Sequence, residues 1–96
     1  MGYSLPKRAK TDIIALARRC GLKKVILFGS RARGDNWERS DIDLAVSGGN
    51  TANFILSIDD EIRSLLMFDI VDLDKPAQTE LLAGIERDGV IIYEEV

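Results

Sequence analysis

Ninety-six residues suffice for one domain with one modest core. Hydrophobic residues make up 46% of the chain and charged residues 30%, as in an ordinary folded domain in water. The net charge of −3 gives no general grip on nucleic acid, and the absence of histidine excludes histidine acid–base catalysis and, with a single cysteine, zinc chemistry. Cys20 has no partner for an internal disulfide. No apolar run is long enough to span a membrane. Lys7, Arg8 and Lys10 are not followed by the apolar stretch of a signal peptide, so a cytoplasmic location is expected.

Residues 1–10 read as a flexible lead-in, with Pro6 and a solvated basic cluster, and residues 11–96 as a single domain. Thr11 or Asp12 is placed to cap a first helix. Ile13, Ile14, Leu16, Ala17 and Cys20 give that helix one apolar side, and Gly21 ends it. Lys24–Phe28 is the first strand, and its unbroken run Val25–Phe28 predicts burial on both faces.

The run ends in Gly29-Ser30. Gly29 allows a tight turn and the close approach of a ligand, and Ser30 opens a short helix whose free N–H groups favour a phosphate. The polar loop Asp35-Asn36-Trp37-Glu38-Arg39 follows, with Trp37 either folded back on the core or exposed to meet a base or a partner. Ten residues after Ser30 comes Ser40-Asp41-Ile42-Asp43, opening a second strand over Ile42–Val46. Residues two apart in a strand project from one face, so Asp41 and Asp43 stand together while Ile42, Leu44 and Val46 face a core. Paired carboxylates repel, and a hard divalent cation resolves the conflict, since Mg²⁺ takes one or two carboxylates plus substrate phosphates. Two such ions about 4 Å apart could clamp the attacking and leaving oxygens of a displacement at phosphorus.

Ser47-Gly48-Gly49-Asn50 breaks the strand. A helix is expected from Thr51 to Leu66, with Phe54, Ile55, Ile58, Ile62, Leu65 and Leu66 inward and Asp59, Asp60, Glu61 and Arg63 wet. Met67–Leu73 is the third strand, carrying Asp69 and Asp72 on opposite faces. Either the strand lies at a wet edge or one of the two aspartates joins Asp41 and Asp43. Thr79–Arg87 makes a last helix with Leu81, Leu82 and Ile85 inward, and Val90–Tyr93 a terminal strand. Alternating strands and helices define an α/β or α+β class.

Phe28-Gly29-Ser30-Arg31-Ala32-Arg33-Gly34 with Ser40-Asp41-Ile42-Asp43-Leu44 resembles the minimal nucleotidyltransferases of the DNA polymerase β-like superfamily. The likeness runs from about Ile13 to Tyr93. It implies a small mixed β-sheet with helices packed mainly on one face and the carboxylates on the other. It also implies ATP bound with its phosphates at Gly29 and Ser30. Asp41, Asp43 and Asp69 become the catalytic carboxylates and ligands of Mg²⁺, as two ions, with Asp72 the rival to Asp69. Asp69 is also the candidate to help deprotonate the acceptor hydroxyl. Arg31, Arg33 and Arg39 are candidate phosphate clamps, because guanidinium binds phosphate oxygens in bidentate fashion; surface charge is the plainer alternative. The resemblance further implies a helical HEPN-type protein partner in a toxin–antitoxin pair, this chain being the antitoxin that places AMP on a partner tyrosine. A non-catalytic partner-binding or nucleotide-sensing module with a vestigial site is the rival reading, and transfer of the γ-phosphoryl group a second. Apolar residues near Trp37 or at the C-terminus are candidates for a homo-oligomer or partner surface.

Overall fold

The computed structural model describes residues 3–62 and 66–95. Its elements run α1 Lys7–Arg19, β1 Lys24–Phe28, α2 Ser30–Arg33, β2 Ile42–Ser47, α3 Thr51–Glu61, β3 Phe68–Asp72, α4 Thr79–Asp88 and β4 Val90–Glu94. The four strands form one mixed sheet in the order β3-β2-β1-β4. β1 is antiparallel to β2 and β4, and β2 is parallel to β3. The fold is therefore α+β with a small mixed sheet.

Strand alternation sorts the side chains. Val25 and Leu27 of β1 and Ile42, Leu44 and Val46 of β2 are wholly buried on the face covered by α1 and α3. Ile13, Leu16 and Ala17 of α1 and Phe54 and Ile58 of α3 close that core. Each large apolar side chain removed from water there contributes roughly 1.5–3 kcal/mol. The expectation that β1 is buried on both faces is corrected: Lys24, Ile26 and Phe28 alternate with the core positions and are only half-buried. They lie on the sheet's other face, where α4 touches β1 through the Gly89–Ile26 approach.

Helix α1 ends as expected. Gly21 adopts φ 67°, its N–H donates to the Arg18 carbonyl, and the Leu22 N–H donates to the Ala17 carbonyl. This is the paired-bond stop that a left-handed glycine permits. Its start differs from expectation. The helix begins at Lys7 after Pro6, and neither Thr11 nor Asp12 caps it; Thr11 instead donates its hydroxyl to the Lys7 carbonyl. The preceding residues are seated on the domain: Tyr3 and Leu5 pack against the core, Ala9 is buried, and the Ser4 N–H donates to the Arg31 carbonyl at 2.8 Å. Tertiary contacts, invisible to local capping rules, extend the helix backward to the proline.

Helix α3 is capped by Asn50, whose side chain accepts from the Asn53 N–H, and it stops at Glu61, earlier than expected, where Ile62 turns extended. Leu65 and Arg63 lie outside the described residues. Leu82, read as inward, is 42% exposed, because α4 buries only Ile85 fully against the sheet. Among the described residues no helix is long and apolar enough to cross a membrane.

Candidate active site

The site is built where β1 hands over to α2 and where β2 enters the sheet. In the antiparallel register Asp43 stands opposite Phe28, and in the parallel register it stands opposite Asp69. Neighbouring strands lie about 4.8 Å apart, so Asp43 and Asp69 are adjacent carboxylates on one face. Asp41 immediately precedes β2, exposed, two residues before Asp43. The structure thus brings Asp41, Asp43 and Asp69 to one corner of the sheet.

Asp72 belongs elsewhere. Its carboxylate accepts the Thr51 hydroxyl at 2.8 Å and the Asp74 N–H at 3.0 Å, tying β3 to α3. Alternation along β3 sends it to the core side, away from Asp43.

Gly29 closes the corner. Its φ is 75°, and a Cβ built there would lie 2.3 Å from Oδ2 of Asp43. Only glycine combines that backbone conformation with so close an approach to a carboxylate. The carbonyl of Gly29 accepts from the Ala32 and Arg33 N–H groups as α2 begins. The first N–H groups of a helix have no partner within it, so this turn adds donors to the corner. Ser30 supplies a half-buried hydroxyl at the same point.

Asp43 is half-buried, and its pKa is pushed up to about 6, first by burial and then by the charges of Asp69 and Asp41, with Arg33 pulling the other way. A carboxylate held among two others in this way is suited to a cation. The donor set is all oxygen, as a hard ion such as Mg²⁺ requires. Among the described residues, no three acidic groups already gather into a cage for an ion. A cation here would need further oxygens, and triphosphate oxygens at the Gly29 turn fit that need.

The three arginines have separate fates. Arg31 is only 3% exposed, and its guanidinium donates to three backbone carbonyls: Nε to Ser40 at 3.0 Å, Nη2 to Glu38 at 3.0 Å and Nη1 to Ser4 at 3.2 Å. The expectation of a phosphate clamp at Arg31 is corrected, since its guanidinium is buried and each of its three nitrogens donates to a backbone carbonyl. Arg33 is exposed and pairs with Asp35 at 3.1 Å and Asp88 at 3.4 Å, within electrostatic reach of Asp43. Arg39 is exposed, and among the described residues it makes no ion pair. Trp37 is 67% exposed, which rules out its folding onto the core.

Sequence reasoning missed Asp88, whose pKa is lowered mainly by its hydrogen bond from Arg87 and which also receives Arg33. It also missed the contact of Ser4 with Arg31. Neither the Arg33–Asp88 pair nor the Ser4–Arg31 contact has a local signature: the first joins residues 55 apart and the second uses backbone atoms of Ser4.

Residues 11–96 match the family described as polymerase beta, nucleotidyltransferase, and the chain belongs to that family. By family it is a nucleotidyltransferase domain. Over 37 residues it is 46% identical to MJ0604 of Methanocaldococcus jannaschii, whose name gives it provisional standing as a protein adenylyltransferase. That match covers 38% of this chain and only 37% of the relative's length. A chain of a toxin–antitoxin crystal structure with AMP-PNP superposes with a TM-score of 0.70 at 26% identity, over 90% of this chain and 73% of the other. A chain of the toxin–antitoxin MntA-HpeT with two aspartates changed to glutamate gives 0.69 at 27%, over the same shares.

Proposed function

We propose that this chain transfers AMP from ATP to a hydroxyl, probed first as tyrosine, of a helical partner protein, and thereby acts as the antitoxin of a toxin–antitoxin pair. The observation that carries the reading is the placement of Asp43 beside Asp69, beneath the Gly29 turn and next to Asp41. The likeness to chains of toxin–antitoxin complexes, one with AMP-PNP, supports both the donor and the kind of partner.

Gly29 and the first turn of α2 receive the β and γ phosphates through backbone N–H groups, and Ser30 adds its hydroxyl. Asp41, Asp43 and Asp69 would hold Mg²⁺, which when bound neutralises phosphate charge and favours the ionised acceptor hydroxyl. The acceptor oxygen attacks the α-phosphorus, a bond forms to it, and the bond to the pyrophosphate oxygen breaks in line. Asp69, exposed at the sheet edge, is the carboxylate open to the acceptor side and can take its proton. Arg33 and Arg39 are the remaining candidates to meet phosphate oxygens; Arg33 must exchange Asp35 or Asp88 for them. The protein mainly positions groups and compensates charge.

A second reading, a partner-binding module without transfer, draws on the lack of a ready-made acidic cage among the described residues. Intact-mass measurement separates the two. After incubation of the pair with ATP and Mg²⁺, the partner gains one AMP residue under the proposal. A stable complex with an unmodified partner favours the binding module.

A further inference from the structure

We propose that Arg31 is a positioning residue that sets where Asp41 stands relative to Asp43, by tying the N-terminal segment and the loop before β2 to the Gly29–α2 turn. The proposal rests on the reading of those aspartates as cation ligands. Asp43 lies inside the ladder, between β1 and β3, and its place is fixed by the sheet. Asp41 lies outside it. The ladder begins one residue later, where the Ile42 N–H donates to the Met67 carbonyl. The position of Asp41 therefore depends on the loop that delivers it.

That loop is held by Arg31. Glu38 and Ser40, which give their carbonyls to the guanidinium, are three residues and one residue before Asp41. Among the described residues the loop's other bonds are short-range: Asp35 is tied to Ser30 and Arg33, the Trp37 N–H donates to the Ser40 hydroxyl and the Ser40 N–H to the Trp37 carbonyl. The third guanidinium bond reaches Ser4, and the Arg31 carbonyl in turn accepts the Ser4 N–H. Burying a cation among neutral carbonyls is costly. A planar fork of donors offsets that cost where several carbonyls from separate segments must be fixed at once. Here it joins three segments: residues 3–5, the phosphate-facing turn and the loop into β2. None of the three carbonyls in this clamp belongs to β1 or β2, so the centres of those strands serve as an internal control.

The test compares the whole chain with Arg31→Met, Arg31→Lys and Ser4→Pro, the last removing the N–H that meets the Arg31 carbonyl. Amide hydrogen exchange is read at residues 38–42, with the centres of β1 and β2 as internal control, and Mn²⁺ binding is titrated with a non-hydrolysable ATP analogue present. Arg31→Met is expected to speed exchange at residues 38–42 selectively. It should weaken Mn²⁺ about 10–100-fold, the usual effect of removing a group that orients a ligand. Arg31→Lys should recover part of both effects, and Ser4→Pro should show a smaller change of the same pattern. Unchanged exchange at residues 38–42 in Arg31→Met, or unchanged Mn²⁺ affinity despite faster exchange, overturns the proposal. Should Arg31→Met fail to fold, Arg31→Lys and Ser4→Pro carry the same comparison. If the unsubstituted chain binds no Mn²⁺, the cation reading of the aspartates fails, and the exchange result by itself decides whether Arg31 orders the loop.

Discussion

Asp43 sits where burial, Asp69 and Asp41 all oppose its ionisation and Arg33 alone favours it. Its folded pKa of about 6 stands above its ordinary value of 3.8. A group with a raised folded pKa contributes most to stability while protonated, and that contribution is lost as pH rises through about 6. Asp43→Asn is therefore expected to raise the melting temperature of the metal-free protein at pH 8 and to leave it nearly unchanged at pH 4. Under the proposed function the same substitution is expected to abolish transfer, so activity and stability should move in opposite directions, as calorimetry and a transfer assay together can check. Gly29→Ala tests the other half of the corner. A left-handed backbone and a Cβ driven against Asp43 should lower unfolding free energy by about 1–3 kcal/mol in urea titration. It should also remove nucleotide binding. The glycine was legible in the sequence as a turn; its contact with Asp43 was not, because that contact crosses from β1 to β2.

The two aspartates of β3 divide the element's work between its faces. Asp72 ties the strand to α3 through Thr51, while among the described residues Asp69 accepts no hydrogen bond. Asp72→Ala should cost about 1–2 kcal/mol of stability and leave most transfer activity. Asp69→Ala should leave stability within about 0.5 kcal/mol, as for an exposed side chain, and reduce transfer by orders of magnitude. Denaturant titration beside a transfer assay reads both, and the reverse pattern would reassign the third carboxylate to Asp72. Period-two alternation was enough to say that only one of the pair could join Asp43. Which one required the register of β3 against β2, a long-range fact that no local pattern encodes. The same limit explains α1: the stop at Gly21 was written in one residue, while the start at Lys7 depends on Leu5, Ala9 and Arg31 meeting the rest of the domain.

Across the whole molecule, the apolar periodicities that mark the core also place most elements, which is why strands β1 and β2 and helix α3 could be read before any coordinates. Strand order could not, and it is strand order that assembles the site, by setting a parallel β3 beside β2 and an antiparallel β1 on its other side. Arg31 marks the clearest divergence. Its type and place beside Gly29-Ser30 suggested a phosphate ligand, yet its partners are backbone carbonyls with no sequence signature. Trp37, four residues before Asp41, and Met67, next to the Phe68 that pairs with Ile42, are both exposed.

The central claim is nucleotidyl transfer at the Asp41–Asp43–Asp69 corner, and the position of a label in the donor tests it most directly. ATP labelled at the α-phosphorus and, separately, at the γ-phosphorus is supplied with Mg²⁺ and the helical partner protein, using the unsubstituted chain and Asp43→Asn. The account predicts that the α-label alone reaches the partner, and only with the unsubstituted chain. Transfer of the γ-label, or α-label transfer that survives Asp43→Asn, would contradict it.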